Sequence, residues 1–279
     1  MTAPRLRRRA GVVAAATAAL VALWAGPAAA DTSQAQATAA NLTLAGGSTA
    51  SSGTVSATSD GQTASTSGNT QPALSVLGSQ TLITSGVLVQ QAVARNDGTS
   101  AACAGLVGTG GGISIGSDGT CTVNPGSGGV TIRLVGGATP VDIKADAITS
   151  RCTATSAGAT TTGVTLTNAR VTTLATINLP VNPGTGVSVS VPGVATILLN
   201  GQTQPQGAGS VRVSALYVSL LSGSAVDVAA STCGLNVATV PVPAVPLSGW
   251  TVAAGAVVAG WGVLAVRFVR RRTGPVLVA

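Results

Sequence analysis

The apolar residues of this chain fall into three regimes. From Leu247 to Val266 every residue is apolar or small except Ser248 and Thr251. As a helix rising about 1.5 Å per residue, such a run covers about 30 Å, the thickness of a bilayer's hydrocarbon core. Arg267, Arg270, Arg271 and Arg272 follow, and Trp250 and Phe268 stand near the two ends, where interfacial aromatics belong. No polar face interrupts the run, as one would on a helix packed at a protein surface. The expectation is a transmembrane helix over 247–269 with a cytoplasmic tail over 270–279. A shorter run, Ala10–Leu23, lies behind the arginine-rich start and ends at Ala28-Ala29-Ala30. That order predicts a helical signal peptide over 1–30, cleaved between Ala30 and Asp31.

Between these runs the period changes. From 71 to 236, Val, Ile, Thr and Leu come in short stretches cut by Gly, Asn, Asp and Pro, which predicts strands. They are expected at Ala73–Leu77, Gly86–Arg95, Ile113–Ile115, Val130–Val135, Val141–Ser150, Gly163–Leu166, Val171–Leu179, Val187–Val191, Val194–Leu199, Ser210–Leu221 and Ala225–Ser231. Asp60-Gly61, Asp97-Gly98 and Asp118-Gly119 supply the Asx-Gly pair of type I′ hairpins, and Asn182-Pro183-Gly184, Pro192-Gly193 and Asn200-Gly201 also read as turns. Residues 31–70 are Ser, Thr, Ala and Gly rich and low in complexity. Their few large apolar residues predict disorder or a loosely held edge strand or two. Residues 237–246 carry Pro241, Pro243 and Pro246 and form an extended spacer. The expected fold is an all-β ectodomain, a β-sandwich with a β-solenoid as runner-up; no fixed repeat period supports the solenoid.

Charge changes the picture once it is located. The chain of 279 residues carries +7, but four arginines lie in the signal peptide and four beside the predicted span. Residues 31–246 hold six basic and seven acidic side chains, a net of −1. A basic chain of this kind gives no warrant for a nucleic-acid partner. All four cysteines, Cys103, Cys121, Cys152 and Cys233, fall in the exported part, where thiols oxidise. Four cysteines allow three pairings, of which Cys103–Cys121, closing a Gly-rich loop, and Cys152–Cys233 are favoured. No CxxC spacing points to zinc.

Candidate chemistry is thin. The chain has no His and no Glu, which removes His-based triads, paired-Glu glycosidases and His metal sites. Asp142, Lys144 and Asp146 alternate, so a strand would place them on one face with Ile143 and Ala145 on the other. The bland reading is a solvated face; a Ser–Lys hydrolase using Lys144 or a calcium site using the acids are the sharper ones. Gly108–Gly112 resembles a phosphate cradle only in composition, with no Gly-Lys-Ser/Thr after it, and reads as a loop tip. Tyr217 is the one aromatic of residues 31–246; because sugar- and base-binding surfaces usually stack rings on aromatic platforms, a carbohydrate module or a nucleic-acid binder is disfavoured, and Tyr217 is cast as a core filler. No cofactor and no catalytic residue is assigned.

Leu199-Asn200-Gly201-Gln202-Thr203 followed by Gly209–Gly234 resembles the C-terminal part of the choice-of-anchor P family of exported proteins from high-GC Gram-positive bacteria. The likeness covers about 36 residues. It implies a surface β domain attached through one of several interchangeable C-terminal anchors, and no activity. A His is frequent in related sequences where Tyr217 stands here. Val245-Pro246-Leu247-Ser248-Gly249 is similar to a sortase signal with Val for Leu and Ser for Thr. A retained span in the cell membrane, with the N-terminal domain outside, is therefore expected ahead of attachment to the cell wall. The functional expectation is a non-catalytic cell-surface protein, structural, shielding or adhesive, held by the membrane and meeting an unidentified envelope or extracellular partner. A cryptic Ser/Asp/Lys hydrolase is the alternative.

Overall fold

The computed structural model describes residues 31–72, 83–134, 141–173 and 175–238. The predicted signal peptide, the predicted strand Ala73–Leu77, most of the expected proline spacer, the sorting-like pentapeptide and the predicted span with its flanks all lie outside the described residues. Among the described residues no helix is long and apolar enough to cross a membrane. They form strands throughout. The first six are β1 (Ser33–Thr43), β2 (Thr49–Ser51), β3 (Val55–Ser59), β4 (Ser65–Pro72), β5 (Ile83–Ser85) and β6 (Val87–Ala94). Next come β7 (Ser100–Val107), β8 (Gly112–Ile115), β9 (Cys121–Asn124), β10 (Val130–Leu134), β11 (Val141–Ala145) and β12 (Ala147–Ala154). The last seven are β13 (Thr160–Thr167), β14 (Arg170–Thr172), β15 (Thr176–Asn178), β16 (Val187–Val191), β17 (Ala195–Thr203), β18 (Val211–Leu220) and β19 (Ala225–Cys233).

A seven-stranded sheet runs β16-β17-β18-β19-β1-β2, with β3 also on β1. Facing it are two five-stranded sheets, β13-β12-β7-β6-β4 and β15-β14-β11-β10-β5. These are consecutive along the chain: β5 passes into β6 at Gly86, and β11 into β12 at Asp146. Inward residues of all three sheets form one buried cluster, an arrangement consistent with the expected sandwich. Every strand pair is antiparallel, unlike a parallel solenoid.

The layers come close because their facing residues are small. Ala35, Ala37 and Ala39 of β1 oppose Ala92 and Ala94 of β6 and Ala102 and Ala104 of β7, all buried. Cα atoms of β1 come within 8 Å of those of β7, inside the usual spacing of about 10 Å for stacked sheets. Here β1 corrects the expectation for residues 31–70. It lies between β19 and the β2 and β3 strands, with most of its residues buried, so it is part of the core and no loose edge. An Ala-rich strand fits because its partner surface is also alanine. The same composition hid β7, whose eight residues are all buried although it holds only two large aliphatic side chains, Leu106 and Val107.

Four strands of the large sheet change their inward face along one line. In β1 the buried series Ala35, Ala37, Ala39 gives way to Ala40 and Leu42. In β17 Ile197 and Leu199 are followed by buried Asn200, and in β18 Val211 and Val213 give way to Leu216, Val218 and Leu220. Registry resumes on either side, skipping Ala39 opposite Ala229, Ala229 opposite Ala215, and Ala215 opposite Asn200. Asn200 and Ala229 take φ of 51° and 56°, the left-handed conformation that turns the pleat over. Asn200-Gly201 is therefore no chain reversal. Its tolerance of positive φ is used inside β17. Ala39 loses a ladder bond there, and its N–H donates instead to Gln90 Oε1 at 2.8 Å and Ser52 Oγ at 3.1 Å.

The turns also differ in type. At Asp97-Gly98 and Asp118-Gly119 only the glycine has positive φ, 76° and 83°. Gly98 N–H donates to Arg95 O at 3.3 Å and Gly119 N–H to Gly116 O at 3.0 Å, so each hairpin is a four-residue turn with glycine at its last position, not type I′. Asp97 accepts the Thr99 hydroxyl and Asp118 the Thr120 hydroxyl, both at 2.6 Å. These hydroxyl bonds hold both carboxyls below the ordinary aspartate range. The stabilisation is complete above the unfolded value of about 3.9 and is lost as pH falls through the lowered folded values. Thr99→Val with Thr120→Val should therefore flatten the acid limb of the stability–pH curve below about pH 4; a limb unchanged from the parent would contradict the coupling.

Both favoured disulfides form: Cys103–Cys121 and Cys152–Cys233. Cys152 and Cys233 come from opposite layers, beside a buried Ser150–Ser231 hydroxyl pair at 2.7 Å. Their separations of 18 and 81 residues correspond, on a loop-entropy estimate, to about 3 and 4.5 kcal/mol. Thermal melts should show Cys152→Ser/Cys233→Ser losing more stability than Cys103→Ser/Cys121→Ser, and equal midpoints would contradict this. Ala102→Leu should cost about 1–3 kcal/mol in a denaturant melt by forcing the alanine-packed layers apart; a neutral effect would show that the seam is not close-packed.

Candidate functional site

The predicted charged cluster is only partly assembled. The expected strand Val141–Ser150 breaks at Asp146, which sits between β11 and β12. Within β11 the alternation holds: Val141, Ile143 and Ala145 are buried while Asp142 and Lys144 stay half exposed. Asp142 is bound by Arg133 Nε at 3.0 Å, which raises the Arg133 pKa further, and Asp146 accepts Asn168 Nδ2 at 2.5 Å. Each acid is thus tied to its own neighbour. Among the described residues no group of three His, Cys, Asp or Glu could share a metal ion.

Tyr217 is 40% exposed, which overturns its assignment to the core. Leu216 and Val218 point inward, so the residue between them must point out. Tyr217 stands in a row with Leu198, Asp227 and Asn41 on the outer face of the large sheet. Asp227 is held by Arg212 Nη2 at 2.7 Å and by the Ser214 hydroxyl. Around them the face carries Gln36, Thr43, Ser56, Thr203 and Ser219, a flat array of hydroxyl and amide groups with one balanced ion pair.

A concave site lies on the opposite layer. The β8–β9 hairpin folds back over the outer face of the β4–β6–β7 sheet, where Ile113, Val123 and Val87 pack on Val89, Val107 and Ala147. The Cys103–Cys121 bond fastens it there. Gly108–Gly112, expected to be a loop tip, is the base of the hairpin: Gly108 N–H donates to Pro125 O, and Thr109 and Ser127 form a two-way bridge in register with the β8–β9 ladder. A Cβ on Gly111 would lie 2.7 Å from Val107 Cγ2 and 2.8 Å from Asn124 O, so the glycine permits this close approach. Between this hairpin and β4 opens a groove of about 380 Å³, lined by Gly68, Asn69, Thr70, Gln90, Gln91, Ile113 and Ser114. Gln91 Oε1 accepts the Ile115 N–H at 2.9 Å, joining β6 to β8. Gln90 is committed elsewhere, through its side-chain bonds to Ala39, Ser52 and Gly53. No sequence pattern marks this groove, since its residues come from three separate strands, one of which, β4, is hidden in the low-complexity segment.

The domain's two ends meet. Thr32 and Val237 bridge with both bonds at 3.0 Å, and Asn236, buried, donates to Ala154 O at 2.8 Å and accepts from Gln34 N–H at 3.1 Å. The chain therefore leaves the β domain beside the point where its first described residues join it. No family model, no curated protein and no solved structure matches this chain.

Proposed function

We propose that this chain is an exported, non-catalytic surface protein whose disulfide-tied β domain acts outside the membrane in a structural, shielding or adhesive role. The observation that carries the proposal is the pair of disulfides within a β-rich domain, one of them crossing between layers. Such bonds persist in oxidising compartments. Charge agrees: the basic residues cluster at the two ends of the sequence, as in a signal peptide and a cytoplasmic flank, while residues 31–246 are nearly neutral. The meeting of Thr32 with Val237 suits a domain followed by a C-terminal spacer. Membership of the choice-of-anchor P family is part of the same proposal and rests on Leu199–Thr203 and Gly209–Gly234. The partner is an envelope or extracellular molecule met by a mostly uncharged polar surface.

Fractionation tests the attachment. The expected result is full protein in detergent-soluble membranes, beginning at Asp31, retaining Trp261 and cleaved from intact cells by added protease. Release by muramidase with Ser248 as the modified terminus would move the anchor to the cell wall, and recovery of the untreated chain from the cytoplasm would overturn the proposal.

A further inference from the structure

We propose that the groove between β4 and the β8–β9 hairpin is a binding site for a neutral saccharide. It deepens the adhesive role proposed above by giving it a ligand class. The depression, about 380 Å³, is open to solvent, so a ligand would lie along its lining without being enclosed.

The chemistry of the lining selects the ligand. No charged side chain lines the groove. A charged ligand would give up water there without gaining a counter-ion. A wholly apolar ligand would cover the Gln91 amide and the Thr70 and Ser114 hydroxyls and leave them unpaired. A neutral polyol satisfies both demands: its hydroxyls meet the amide and hydroxyl groups, and its C–H face meets Ile113. A peptide adding itself as a strand along β8 is disfavoured, because Gln91 Oε1 already takes the Ile115 N–H on that edge. The scarcity of aromatic rings rules out a stacking platform but not hydrogen bonding of this kind.

The groove is also built in advance. Accepting from Ile115 fixes the Gln91 carboxamide and leaves its Nε2 hydrogens to donate. The opposite wall is fastened by Cys103–Cys121 and by the Ile113 and Val123 contacts, so binding orders little. Gly68 supplies an independent observation. It pairs with Gln91 across β4 and β6 and faces the groove. Its φ is not in the left-handed region, and a Cβ there would lie 3.4 Å from Gln90 O and 3.6 Å from Gln91 Cγ, ordinary contacts. Neither backbone conformation nor crowding requires glycine at this position. What the missing side chain does is keep the groove open.

The test uses the full-length chain in mild detergent, titrated calorimetrically with maltotriose, cellotriose, mannotriose and N,N′,N″-triacetylchitotriose. Trigalacturonate and an uncharged Ser/Ala hexapeptide form the comparison arms. The expected result is saturable binding of at least one neutral trisaccharide, weakened at least tenfold by Gly68→Gln and by Gln91→Ala, with the melting temperature of Gly68→Gln unchanged. Should Gly68→Gln melt lower, Thr70→Gln fills the same groove from an exposed position and must weaken binding equally. No binding of any neutral trisaccharide, binding confined to the acidic sugar or the peptide, or binding retained in the groove-filling variants would overturn the proposal. Attachment to the surface is read by fractionation alone, so either result can fail without the other.

Discussion

The large sheet depends on a single constraint: four adjacent strands must turn their pleats over at the same level. A strand presents alternate residues to each face, and one residue in the left-handed conformation exchanges the two faces. One strand doing so alone would bury polar side chains against its neighbours' apolar ones. Asn200 of β17 and Ala229 of β19 take the left-handed conformation, and Ala39 of β1 and Ala215 of β18, both opposite Ala229, change face at the same level, so the exchange becomes a line across the sheet. The backbone groups freed along it need partners. Gln90 reaches over from the facing layer to take the Ala39 N–H, and Asn200 O accepts the Gly186 N–H at 3.0 Å. Gln90 is thus a buried polar residue whose hydrogen bonds belong to the fold, although it borders the groove.

The line also separates two kinds of core. On one side the layers meet through Ala35, Ala37, Ala92, Ala94, Ala102 and Ala104. Alanine contributes little area per residue, and this side holds the Cys152–Cys233 bond and the buried serine pair. On the other side Leu42, Ile197, Leu199, Leu216 and Val218 join Ile132, Ile143 and Val171 in the same cluster, and no disulfide lies among them. Where apolar burial per residue is smallest, covalent closure does more of the stabilising.

The second disulfide serves a different end. Cys103 lies on the outer face of its sheet, so its bond to Cys121 fixes a hairpin over a sheet surface and does not join two layers. The groove exists because that hairpin stands off from β4, and Gly68 leaves its floor clear. Its amide and hydroxyl lining carries no charged side chain, and the polar face around Tyr217 carries one balanced ion pair.

Local pattern by itself determined the all-β class and most strands rich in Val, Ile and Leu. It did so because period-2 alternation is a property of adjacent residues. It also determined that Asp142 and Lys144 share a half-exposed face, and it marked Asn200 as a residue tolerant of positive φ. Only tertiary structure decided that β1 and β7 are core strands. Alanine and glycine are silent about burial until the opposing surface is known to be equally small. Tyr217 was misplaced for a related reason: its size suggested the core, whereas its parity was set by the pleat reversal at Ala215 and by the neighbours Leu216 and Val218. The groove was out of reach of the sequence altogether. Gly68, Gln91 and Ser114 are brought together by antiparallel pairing and by a folded-back hairpin, and such long-range closure leaves no trace in the local order of residues.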